Sequence, residues 1–233
     1  MIHMEMMKEE DGTMAGEARG RKTSKKRLSP AVTVLALFLV LVLIGLVALR
    51  LLDWRGQRVE GQMTTLVNPW NSSEATGYRP QLTAVQGVQV DEACAQALQN
   101  MLADCAFEGN APVLGAGYLS RTDLESNPAF TQEEDSAGYS EHELGLAVDI
   151  LDEETGDPAA STTLQWLREN AWRYGFILRY PQGAEEQTGV AYCPWHYRYV
   201  GESAAAQIQQ LNITLEEYAA MFYNDSAEVV FEK

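Results

Sequence analysis

The sequence predicts an α+β domain, an antiparallel sheet with flanking helices, preceded by one transmembrane helix. Residues 31–49 carry no charge and are mostly valine, leucine, isoleucine, alanine and phenylalanine. A helix needs about 20 such residues to cross a hydrocarbon core of ~30 Å. After this run, helical and strand-like patterns mix without a regular strand–helix–strand rhythm, which favours α+β over a parallel α/β fold.

The N-terminal part is predicted to anchor the chain. We expect a disordered cytoplasmic tail at 1–30, a transmembrane signal anchor at 31–52, a tether at 53–65 and an extracytoplasmic domain at 66–233. Basic residues precede the apolar run: Arg19, Arg21, Lys22, Lys25, Lys26 and Arg27. Positive residues stay cytoplasmic, which places the domain outside the cell membrane. A cleaved signal peptide is the alternative.

Charge limits the partners of this domain. The chain has a formal net charge of −16, and its only lysine after the apolar run is Lys233. Nucleic-acid binding rests on neutralising phosphates. We therefore expect no nucleic-acid partner.

Helices are predicted from caps and apolar spacing. Asp91 begins a helix that Gly109 ends, and Thr214 with Glu217 forms a capping box for a final helix. Between them, a helix starts at residue 161 or 162 and is closed by Gly175. The apolar stripe of the first helix is Cys94, Leu98, Met101, Leu102 and Cys105.

Strands are predicted at 112–118, 146–151, 176–180 and 197–200 from their aromatic and β-branched residues or alternating faces. In the second strand, Asp149 lies on the face opposite the apolar residues. Its neighbours on that face are small, which leaves room for a metal or a substrate.

The cysteines are Cys94, Cys105 and Cys193. On one helix, the first two lie roughly 16 Å apart, whereas a disulfide needs Cα atoms within about 7 Å. Buried thiols are therefore expected, and a bridge from Cys193 to either of them stays open.

Two compact motifs hold both histidines of the domain: residues 140–149 (SEHELGLAVD) and 193–201 (CPWHYRYVG). His142, Asp149 and His196 make the ligand set of a catalytic zinc site. A turn at Gly145 followed by a strand can bring the first two together, and Pro194 can direct positions 193 and 196 into one cleft. Ordinary structural histidines are the alternative.

The motifs resemble those of the VanY-type D-alanyl-D-alanine carboxypeptidases, zinc peptidases of the Hedgehog/DD-peptidase fold. The resemblance covers residues 66–218. Residues 140–149 fit the pattern S-x-H-x-x-G-x-A-x-D, residues 174–181 and 188–189 fit the middle of the family, and residues 194–201 fit P-W-H-[FY]-R-[YF]-V-G.

The resemblance implies a membrane-anchored zinc carboxypeptidase that releases a C-terminal D-alanine from peptidoglycan stem peptides. His142, Asp149 and His196 would hold the zinc, and Ser140 and Arg179 would contact the substrate. The choice between D,D- and L,D-bonds stays open.

Two positions depart from the family pattern. Cys193 stands where members carry a glutamate general base, and Leu119 stands where members carry the arginine of S-G-Y-R-S. The alternative function is therefore a catalytically impaired zinc-binding module that binds cell-wall peptides. Cys193 can also act as a fourth zinc ligand, while Arg121 and Glu143 are candidate replacements for the missing groups.

Overall fold

The structure, a computed structural model, describes residues 29–126 and 136–223. Nearly all of the predicted tail lies outside these ranges. The α-helices of the described ranges are α1 (Pro30–Met63), α2 (Glu92–Phe107), α3 (Arg121–Ser126), α4 (Thr162–Asn170), α5 (Glu185–Thr188), α6 (Glu202–Leu211) and α7 (Leu215–Tyr223). The strands are β1 (Leu82–Val85), β2 (Val88–Asp91), β3 (Pro112–Ala116), β4 (Ala147–Asp152), β5 (Phe176–Tyr180) and β6 (Cys193–Tyr199).

The first helix contains the apolar run. Within the described residues, one helical stretch, Pro30–Ala48, is long and apolar enough to cross a membrane, judged by length and composition. The helix continues to Met63, so the segment predicted as a tether is largely helical. The chain divides into two compact units, Met1–Arg50 and Leu51–Lys233.

The second unit is built on an antiparallel sheet. Its strand order is β3-β4-β6-β5, and every neighbouring pair is antiparallel. One face packs against α2 and α4, where Val148 and Ile150 of β4 and Tyr197 of β6 meet the apolar stripe of α2. Because side chains alternate along a strand, Asp149 and His196 belong to the other face.

The predicted helix ends have the expected chemistry. Asp91 accepts a hydrogen bond from the Ala93 N–H at 2.8 Å. The Thr214 N–H donates to Glu217 Oε2 at 2.8 Å, and the Glu217 N–H donates to Thr214 Oγ1 at 3.2 Å. The capping box is therefore confirmed, and Gly175 follows a 3₁₀ turn that extends α4.

The hairpin of β1 and β2 was not predicted from the sequence. Gln86 and Gly87 form its turn with φ of 49° and 85°. Paired left-handed residues between alternating strands are typical of a tight hairpin, so the Gln-Gly pair was the available signal.

Candidate metal centre

His142 is placed by a short 3₁₀ turn, Glu141–Leu144. Ser140 caps the turn by accepting a hydrogen bond from the His142 N–H at 3.3 Å. Gly145 ends it with φ of 68°, where an added Cβ would lie 3.1 Å from the backbone nitrogen of Asp91. Since only glycine adopts this conformation easily, the chain can reverse here and enter β4. The predicted turn is confirmed.

Asp149 and His196 face each other across neighbouring strands. They are paired residues of the β4–β6 ladder, so their side chains leave the same face of the sheet. Asp149 Oδ1 lies 3.0 Å from His196 Nδ1 and 3.5 Å from His142 Nε2. Both imidazoles are fully buried, whereas the carboxylate side chain is 19% exposed. The site therefore opens on the side of Asp149.

The three side chains are arranged to hold a metal ion. One possible ligand atom from each lies within 4.8 Å of the others. The imidazole ring centroids are 4.9 Å apart, and the rings are nearly perpendicular. Tetrahedral zinc with bonds of 2.0–2.1 Å separates its ligand atoms by roughly 3.3 Å. The observed separations from Asp149 fit this geometry with little movement.

A backbone carbonyl orients the first imidazole. His142 Nδ1 lies 2.6 Å from the carbonyl oxygen of Gly117. A carbonyl only accepts hydrogen bonds, so Nδ1 is protonated, and Nε2 is the ring nitrogen that faces Asp149. Metal-binding histidines are commonly oriented from behind in this way. The residues present fit zinc.

Electrostatics also favour a cation at this place. Burial alone would raise the pKa of Asp149, but attraction to His142 and His196 outweighs burial and holds that pKa far below its usual range. Burial alone would lower the pKa of His196, yet hydrogen bonding to Asp149 and Glu141 raises it to about 9. The site gathers positive charge, which a metal ion can supply in exchange for the imidazole proton.

Glu141 lies behind His196 in a buried ion network. Its Oε2 is 3.7 Å from His196 Nε2, and its Oε1 is 2.8 Å from both Arg179 Nε and Arg198 Nη1. Burial alone would raise the pKa of Glu141, but the two guanidinium groups outweigh burial and hold the pKa far below its usual range. Glu141 is therefore a charged support for His196.

The two residues predicted to contact substrate are both buried. Ser140 is 0% exposed, and its hydroxyl binds the His142 backbone. Arg179 is 1% exposed, and its guanidinium binds Glu141, Glu216 and the carbonyl of Val67. A guanidinium enclosed in this way supports the site from behind, which differs from the substrate contact expected from the sequence.

Cys193 is not one of the residues of the metal cluster. The β5–β6 register shifts between Leu178 and Tyr180, and Tyr180 pairs with Cys193. Cys193 is 2% exposed and packs with Tyr180, whose ring centroid lies 5.0 Å from that of His196. The irregularity expected around Pro194 is present. All three cysteines are buried thiols, as expected from the sequence.

Leu119 lies next to the backbone of His142, because its N–H donates to the His142 carbonyl at 3.3 Å. The two candidate replacement groups engage each other instead. Arg121 Nε is 3.4 Å from Glu143 Oε1. Glu143 also accepts hydrogen bonds from the Ser73 hydroxyl and, at 3.1 Å, from the Gly138 N–H.

Comparison with known proteins identifies the family. The family model "VanY: D-alanyl-D-alanine carboxypeptidase" matches residues 87–202. A solved mutant of the vancomycin-resistance D,D-pentapeptidase VanY, in complex with Zn(II), is 32% identical with a TM-score of 0.60; the match covers 67% of this chain and 98% of that chain. The chain belongs to the VanY family. The predicted family and fold are confirmed.

Other relatives agree. The structure of VanYB in complex with D-alanine-D-alanine is 32% identical with a TM-score of 0.60, and the match covers 71% of this chain and 99% of that one. A D-alanyl-D-alanine carboxypeptidase of Enterococcus faecium is 37% identical over 137 residues, which are 56% of this chain and 44% of the relative. The chain thus spans less than half the length of the curated relatives it matches.

Sequence reasoning missed the groups that stand behind the imidazoles. Gly117 acts through its backbone carbonyl, which no side-chain pattern reveals. Glu141 and Arg198 lie within the two motifs. Each is a charged residue next to or near a histidine, and this was the feature of the sequence that could have indicated them. Only the fold shows that they pair with each other.

Proposed function

We propose that this chain is a zinc D-alanyl-D-alanine carboxypeptidase that acts on peptidoglycan stem peptides. The observation that carries the proposal is that His142, Asp149 and His196 lie close together. A 3₁₀ turn places His142, and two neighbouring strands place Asp149 and His196. The VanY family provides the substrate class, since VanYB is solved with D-alanine-D-alanine. We assign zinc to the three residues because the donor set and the support behind the imidazoles fit it.

The side chains of the site have separate tasks in this proposal. A bound zinc ion supplies a Lewis acid and lowers the pKa of water. Asp149, the partly exposed ligand, faces the side from which a peptide enters. Ser140 fixes the turn that carries His142, while Arg179 holds Glu141 in its ionised form behind His196. Neither needs to touch the peptide for the site to keep its shape.

Cys193 takes the position of the general base. By its position in the motif, the sulfur replaces the carboxylate that would receive the proton. A thiol is mostly protonated at neutral pH, so it accepts a proton less readily than a carboxylate. Leu119 supplies no charge to a developing oxyanion. Turnover is therefore expected to be slow relative to a chain with glutamate and arginine at these positions.

We further propose that helix α1 anchors the enzyme in the cell membrane with the domain outside. The support is its apolar stretch, Pro30–Ala48, and the basic residues that precede it. Protease added to intact cells is expected to digest the C-terminal domain. Protection of that domain, with loss of an N-terminal tag, would show the opposite orientation.

A second candidate is a zinc-binding module of the same fold that binds cell-wall peptides without hydrolysing them. Its basis is the pair of departures from the family pattern in the sequence, Leu119 and Cys193.

Release of D-alanine from a model pentapeptide separates the two candidates. The full chain is compared with Cys193→Glu, Leu119→Arg and the double variant, with His142→Ala as the metal-deficient control. A general base and an oxyanion donor each supply a factor of ~10² or more, and we expect the double variant to exceed the wild type by at least one such factor. No release by the wild-type chain with zinc bound would refute the carboxypeptidase proposal and favour the binding module.

A further inference from the structure

We infer that the segment 63–68, which begins at the last residue of helix α1 and is here called the post-helix segment, is a positioning element of the metal centre. This inference rests on the proposed zinc function. The segment lies outside residues 87–202, which the family model matches. It nevertheless contacts the groups behind both imidazoles.

The first contact runs through Arg198. Its Nη2 donates to the carbonyl oxygens of Met63 at 2.9 Å and Thr65 at 3.0 Å. The other terminal nitrogen of the same guanidinium lies 2.8 Å from Glu141 Oε1. Because a guanidinium is planar and rigid, the two carbonyls fix the plane in which Arg198 meets Glu141, and Glu141 in turn stands behind His196.

The second contact runs through Arg179. Its Nη2 donates to the carbonyl oxygen of Val67 at 3.3 Å, and its Nε lies 2.8 Å from Glu141. Asn68 adds a further tie, since its Nδ2 donates to Glu216 Oε1 at 3.2 Å, and Glu216 also binds Arg179. The post-helix segment thus contacts the two arginines through three backbone carbonyls. It contacts Glu216, a partner of Arg179, through the amide of Asn68.

The third contact is apolar and reaches the other histidine. Met63 and Val67 form a buried cluster with Leu144 and Leu146, and Val67 is 0% exposed. The two leucines flank Gly145, where the turn that carries His142 reverses the chain. Packing against them fixes that turn independently of the arginines.

These contacts together make the post-helix segment the common support of His142 and His196. A buried ion pair is stable only when its remaining donors are satisfied, and here the carbonyls of the segment satisfy them. A disturbance of the segment therefore alters the geometry around the metal as well as the stability of the fold.

The test compares Val67→Ala with Val85→Ala, both in the full chain. Val85 is 1% exposed and belongs to the main core cluster against α2, so the two variants lose the same two methyl groups from buried places. We expect Val67→Ala to weaken zinc binding about tenfold, in the range for lost support behind a ligand. We also expect it to change the visible spectrum of the Co(II)-substituted protein, which reports ligand geometry. Val85→Ala should leave both unchanged.

Arg198→Lys is the second variant, because an ammonium cannot reach Glu141 and both carbonyls with one rigid fork. Arg198→Lys provides the test of the inference if Val67→Ala does not fold. A wild-type Co(II) spectrum and wild-type zinc affinity in the folded variants would overturn the inference while leaving the proposed function intact. Failure of the wild-type chain to bind either metal would overturn both.

Discussion

Replacement of Gly117 by alanine should weaken zinc binding without touching any ligand. The carbonyl of Gly117 lies 2.6 Å from His142 Nδ1 and fixes the ring. A Cβ at position 117 would lie 2.3 Å from the carbonyl oxygen of Gln89 and 2.6 Å from Val88 Cγ1. Since one of these atoms belongs to the backbone of β2, residue 117 must move away, and its carbonyl moves with it.

Two magnitudes follow from this geometry. Overpacking of this kind typically costs about 1–3 kcal/mol of stability. Loss of a group that orients a metal-binding histidine typically costs 10- to 100-fold in metal affinity, or about 1.4–2.8 kcal/mol. Zinc affinity is measured by competition with a chromogenic chelator, and stability by urea unfolding of the zinc-free protein.

Gly115→Ala is the matched control in β3. A Cβ there would meet Leu151 Cδ1 at 3.1 Å, the end of a side chain that is 45% exposed and can move. We expect its zinc affinity to stay within about twofold of wild type. Equal zinc affinity in Gly117→Ala, Gly115→Ala and the wild type would refute the claim that this carbonyl orients His142.

Three further outcomes are expected. Arg179→Met leaves Glu141 and Glu216 buried without their shared guanidinium and should lower the free energy of unfolding by about 3–5 kcal/mol in urea titrations; a loss below 1 kcal/mol would contradict the buried network. Burial raises the pKa of Cys94 and of Cys105 to about 12, so iodoacetamide at pH 8 should label neither until the protein is unfolded; rapid labelling of the native protein would show that the α2 stripe is exposed. Free zinc at 100 times its Kd should stabilise the domain by about 2.7 kcal/mol over the chelated protein, seen as a higher Tm, and the same Tm shift in His142→Ala would place the metal elsewhere.

The sequence predicted the site better than its support. His142, Asp149 and His196 could be grouped because each type of side chain has metal chemistry and Gly145 marks the turn between the first two. The α2 stripe and the capping box at Thr214 were predictable because they depend on local spacing.

The supporting groups depend on contacts between distant parts of the chain. Arg179 meets Glu216 and Val67 only after the sheet and α7 have assembled, so its buried position could not be read from the motif. The extension of α1 to Met63 was likewise missed, because the polar residues after the apolar run resemble a linker in composition.

The atoms that ligate the bound metal distinguish an open zinc site from one that Cys193 closes. X-ray absorption at the zinc edge is measured on the full chain purified without added chelator. We expect a shell of nitrogen and oxygen near 2.0–2.1 Å, with the scattering of two imidazoles and no sulfur. A sulfur ligand near 2.3 Å would mean that Cys193 closes the site, and it would contradict an open zinc centre held by His142, Asp149 and His196 alone.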